Sequence, residues 1–333
     1  SNFDVDGALT VSGGELDILA RTVTVTGASD VASGATLNIN GSGVYDANGS
    51  FDANGGTINM DGTARLQLAS TVTNLGTLDN AAGTVEYNGG AQDVIADDYY
   101  DLVIDQSGNK TAQGAVNVAN DMTISNSATY LTASYATDVT GATSVSAILD
   151  VNDGGGEFTS RGGFSATGNI NFSANGILRF ITVSPTSLGT LDNTNGFVLY
   201  KLGADNVLAD NYYNLKVIDN DVYSAQGDIN VANNFTLGSA SELNLGNNTF
   251  TLTGNADING TLDFDNAGVF DANSTCDPIF EAVSATHAAT PKLQDKLSWC
   301  AWSWPLSFII YIFEPSPLKI KPLKTWPTTP MLL

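Results

Sequence analysis

Cysteine and histidine are absent from residues 1–275 of this 333-residue chain, and proline occurs there once. No disulfide can staple that region, and neither a Ser-His site nor a histidine-bearing metal site can be built within it. Bases are scarce too: 12 Lys and Arg stand against 35 Asp and Glu, a formal charge of −23. Phosphate binding needs clustered Lys and Arg, which argues against nucleic acid as a partner. Divalent cations, cationic surfaces or neutral glycans suit such a field better. Before residue 276 there is also no apolar stripe at helical spacing.

These scarcities reverse at residue 276. Cys276, Cys300, the single His287, all four Trp and eight of the nine Pro fall in residues 276–333, which contain no glycine. The segment 1–275 holds 7 bases and 31 acids, a net of −24, and the tail holds 5 and 4, a net of +1. The tail's apolar run, from Trp299 to Phe313, is interrupted by Ser303, Pro305 and Ser307. It falls short of the ~20 residues a bilayer-spanning helix needs. Three expectations stand for this tail: an anchor that contacts a membrane or a partner, a cap on the end of the preceding fold, or residues read outside the natural frame. A disulfide between Cys276 and Cys300 is compatible with an exported protein.

What is present is Gly, Asn, Asp, Thr and Ala in short alternating runs. "TVTVT", "TLNIN", "TINMDG", "RLQL" and "TFTLT" alternate apolar with small polar residues, the signature of strands with one buried face. Gly, Asn and Asp separate them and form turns. Strand signals recur about every 20 residues, as at Leu37/Ile39, Ile58/Met60 and Leu78.

The chain also matches itself when Gly83 is laid on Gly196. "GTVEYNGGAQDVIADDYYDLVID" from Gly83 pairs with "GFVLYKLGADNVLADNYYNLKVI" from Gly196, so residues 83–153 recur at 196–266. Gly141 meets Gly254 in the same alignment, and "GVYDANGS" from Gly43 returns as "GVFDANST" from Gly268. The segment 1–275 therefore holds about two and a half units. Residue 1 falls inside a repeat, so the chain is expected to begin within a longer protein. A closed sandwich has no reason to copy itself in translation, whereas a stack of coils can continue indefinitely. The expected fold is all-β: a parallel β-helix, or β-solenoid, of right-handed sense, with about five coils per unit and an atypical non-repeat C-terminal tail. Some twelve coils at ~4.8 Å each make a rod of about 55 to 60 Å.

The pattern "GTVEYNGGAQDVIADDYYDLVID…GAVNVANDMTI" resembles the glycine-rich repeats of large secreted surface proteins of Bacteroidetes-like bacteria. More loosely it is similar to the β-helical passengers of filamentous-haemagglutinin and autotransporter adhesins. The resemblance implies an exported, elongated, extracellular or outer-surface protein with an adhesive or structural role. Glycans or other cell-surface components are its expected partners, with end-to-end self-association a further possibility.

Each candidate site has a structural counterpart. In the pairs Tyr99/Tyr100 and Tyr212/Tyr213, neighbouring strand residues point to opposite faces, so one Tyr packs inward and the other can offer a flat surface to a sugar. Asp46, Asn48, Asp52 and Asn54 supply oxygens of the kind calcium takes, yet Asp-x-Asn-Gly is also an ordinary turn. A polysaccharide-active enzyme needs a base beside paired acids, and Arg161, Arg179, Lys201 and Lys216 stand far apart in the sequence, so a non-catalytic scaffold is expected. Threonines in "TVTVT" and "TFTLT" raise an ice-binding face, which the strands between them do not continue.

Overall fold

The computed structural model describes residues 2–152, 154–264 and 268–272, together with the backbone of 279–280. Expectations for the tail and for Cys276 and Cys300 lie outside the described side chains. All described elements are strands, every described pairing is parallel, and the chain winds into a β-solenoid of about 13 coils.

Each coil lays down a strand on a first, second and third face in turn. Thr22–Val25, Val44–Ala47, Arg65–Leu68 and Thr84–Tyr87 stack on the first face. Ser29–Val31 and Phe51–Asp52 stack on the second, and Thr36–Ile39 with Thr57–Met60 on the third. The period-2 pattern sets which residues turn inward, and those from all three faces join one continuous core. Leu37 stacks on Ile58, and Ile58 on Leu78, as the recurrence of strand signals in the sequence implies. Aromatic rings extend the core over successive coils: Phe164 meets Phe180 with centroids 5.0 Å apart, and Phe180 meets Tyr200 at 5.3 Å.

The repeat and the coil are out of step. From Thr84 the first face is revisited at Asp101, Met122, Thr143, Phe164 and then, one coil beyond the pairing of Ser165, at Ser187. Five coils have then passed, and the chain still crosses the second face at Thr190 before Phe197 stacks on Ile177 of the third. One repeat unit thus holds five and two-thirds coils, not the five expected. Consequently Thr84–Tyr87 lies on the first face, whereas its copy, Phe197–Lys201, lies on the third.

Candidate functional site

Tyr99 and Tyr212 are the inward members of their pairs, 0% and 1% exposed, and Tyr100 and Tyr213 are half-buried. The Tyr87 and Tyr99 hydroxyls share a 3.0 Å hydrogen bond; Tyr99 Oη donates to the Ile95 carbonyl at 2.7 Å, and Tyr87 Oη accepts from the Ile95 N–H at 3.1 Å. The second copy repeats every contact. Tyr200 and Tyr212 are 3.0 Å apart, Tyr212 donates to Leu208 at 2.8 Å, and Tyr200 accepts from the Leu208 N–H at 3.3 Å. Burial pushes Tyr87 up to about 12 and raises Tyr99, Tyr200 and Tyr212 as well. The same burial raises the carboxyls of Asp97 and Asp210, which hold equivalent places beside the two networks. Tyr100 follows a third-face strand, while Tyr213 follows Tyr212 at the corner before Asn214 rejoins that face. The two outer tyrosines therefore do not align into one platform.

The four calcium candidates belong to two sheets. Asp46 is on the first face between Thr24 and Gln67, and Asn48 Nδ2 donates to it at 3.3 Å. Asp52 is on the second face beside Asp30, and its Oδ1 accepts from the Asn54 N–H at 3.1 Å, an Asx turn. Among the described residues no three His, Cys, Asp or Glu side chains converge.

One buried charge escaped the sequence reading. Lys110 is 0% exposed and donates to the carbonyls of Gly89 at 2.8 Å and Gln106 at 2.6 Å; burial lowers its ammonium pKa. Its strand phase carried the signal, since Lys110 and Ala112 are two positions apart and both face inward.

The four bases that stand apart in the sequence come together on the third face. Registers there build a single outward file: Asp98, Asn117, Asp138, Thr159, Arg179, Leu199, Lys216, Thr236 and Asp257. A parallel file runs Glu157, Ile177, Phe197, Asn214. Lys201 extends the same strand as Leu199, and Arg161 directly follows Ser160, whose stacking partner is Phe180. Four successive coils therefore carry one cation each, although the separations of the four in the sequence look irregular.

Three of these cations meet acids. Arg161 grips Asp138 through two nitrogens, Nε at 2.8 and 3.0 Å and Nη2 at 2.7 Å; Arg179 reaches Glu157 at 2.5 Å, and Lys201 reaches Asp219 at 3.2 Å. Lys216 differs. Its ammonium sits 4.6 Å from the centroid of the Phe197 ring, with no described carboxylate within ion-pairing distance. Toward the start of the file a shallow groove of about 260 Å³ is lined by Asn80, Asp98, Asn117, Asp138, Thr140 and Arg161. There the Asn117 amide donates to Asp98 at 2.7 Å.

Comparison of the chain with family models, curated proteins and solved structures gives no match.

Proposed function

We propose that the protein is a non-catalytic scaffold of the adhesin kind, an elongated rod on the outer cell surface or in the extracellular space. The observation that carries this reading is the evenness of the stack. Described strands return to the same face once per coil, Thr22 to Val44 and Thr84 to Asp101 alike, and no inserted loop among the described residues walls a catalytic cleft. Cleft-free coils suit extension and presentation, and an acidic polar exterior keeps a rod soluble.

The nearest thing to a catalytic arrangement is the groove, where Asp98 and Asp138 flank Asn117. Two strand spacings, ~9.6 Å, separate the backbone positions of these residues, just beyond the ~6.5–9.5 Å that inverting glycosidases keep between their carboxyl groups. Asp138 is also held by Arg161, and Asp98 accepts from Asn117. The binding reading therefore outranks the enzymatic one.

Antibodies against the solenoid, applied to intact cells of the producing organism, test the location; labelling before permeabilisation is the expected result. Labelling only after permeabilisation overturns the surface reading. Depolymerisation of any polysaccharide by the purified chain, lost in Asp98→Asn, overturns the non-catalytic one.

A further inference from the structure

We propose that the third face, from the groove at Asp98 to Lys216, binds a linear polysaccharide bearing carboxylate groups, a polyuronate, laid along the rod axis. This rests on the scaffold reading and names the class of ligand to which the rod presents itself. The segment 1–275 contains seven bases, of which Lys110 is buried; four of the remaining six stand on this face over four successive coils. The concentration matters because the same segment holds 31 acids. Elsewhere an anionic polymer meets an excess of acid; here Arg161, Arg179, Lys201 and Lys216 balance Asp98, Asp138, Glu157 and Asp219 one for one, so the face is locally neutral.

The cations come with apolar surface. Ile177 and Phe197, half-buried neighbours in one file, supply it; Leu199, between Arg179 and Lys216 in the other, is buried and adds none. A uronate offers both matching chemistries, a carboxylate for the cation and a C–H face for the ring. Lys216 is the cation best placed to engage it, since its described partner is a ring and not a carboxylate. Beyond it, Arg161, Asn117 and Thr140 in the groove offer donors for ring hydroxyls.

Dimensions select a polymer over a second copy of this chain. The face from Asp98 to Lys216 covers seven coils, ~34 Å, by about five strand positions, ~16 Å, hence roughly 540 Å². A stable protein interface needs ~800 Å² per partner. The file from Asp98 to Lys216 runs six coil spacings, about 29 Å, a length a chain of sugars can follow.

The test is binding of polygalacturonate to the purified chain in chelator, so that calcium cannot bridge acid to acid. Fully methyl-esterified polygalacturonate serves as the uncharged counterpart. Binding of the acid form, and at least about tenfold weaker binding of the ester, is expected from the loss of charge-assisted contacts. Lys216→Glu should weaken binding at least about tenfold. Arg21→Glu, the same charge change at an exposed position outside this face, should leave it nearly unchanged. No binding by the native chain, equal binding of acid and ester, or equal loss in both variants overturns the proposal. Failure here with cells still labelled leaves the scaffold reading standing; binding without surface labelling does the reverse.

Discussion

At the scale of single residues, the repeat preserves a hydrogen-bond circuit more faithfully than a surface. Tyr87, Tyr99 and Ile95 form the same closed contacts as Tyr200, Tyr212 and Leu208, although the two copies point to different sides of the rod. A buried hydroxyl without a partner is costly, so the circuit must be kept whole wherever the unit falls. The pH dependence follows from the direction of the shifts. Burial holds Tyr45 and Tyr87 up at about 12 and raises Tyr99, Tyr130, Tyr200 and Tyr212, against an unfolded value near 10. A raised folded pKa gives stability that is complete below the unfolded value and is lost as pH climbs through the folded one. The urea midpoint should therefore be flat up to about pH 9 and fall steeply above pH 10. Phenolate absorbance from these tyrosines should appear together with loss of the sheet circular dichroism; smooth ionisation with the sheet intact would refute the buried circuit.

At the scale of the element, corners decide what strands cannot. Gly141 and Gly254 match across the repeat, and each sits where a side chain would collide with the coil beneath. A Cβ at Gly141 would stand 2.3 Å from the Asn120 carbonyl oxygen, and one at Gly254 would stand 1.6 Å from that of Asn233. Gly141 N–H also donates to the same Asn120 carbonyl at 2.8 Å, which fixes the close approach. Gly141→Ala and Gly254→Ala should each destabilise by about 1–3 kcal/mol, the range for overpacking. Gly13→Ala, with open space around its Cβ, should be nearly neutral in the same urea titrations. Equal effects at all three positions would mean that the corners yield. Strand phase was legible in the sequence because alternation is local, and Leu37, Ile58 and Leu78 mark the coil correctly. The corners were not, since one residue more or less between strands leaves the alternation untouched while moving the next strand around the axis. For the same reason Arg161, Arg179, Lys201 and Lys216 looked unrelated: their separations become one step per coil only when the register is known.

At the scale of the whole molecule, a unit of five and two-thirds coils turns each copy onto a different face, so the repeat in sequence does not repeat a surface. Copy-to-copy identity is therefore a property of the core, and a binding face has to be assembled across unlike parts of the unit, as the third face is. The acidic charge, by contrast, is spread everywhere, with like charges even in register, as at Asp30 and Asp52 on the second face. Carboxylates one coil apart repel, and this opposes the compact rod more than the extended chain. Screening should relieve it. Raising sodium chloride from about 0.01 to 0.1 M shortens the Debye length from ~30 to ~10 Å, and the melting temperature should rise by about 1.5 °C per kcal/mol of repulsion removed. Calcium and magnesium compared at equal ionic strength separate screening from coordination. Equal rises are expected if the carboxylates act only through their summed field. A further rise with calcium alone, reversed by chelator and absent in Asp52→Asn, would instead assign Asp46, Asn48, Asp52 and Asn54 a coordinating role despite their division between two faces.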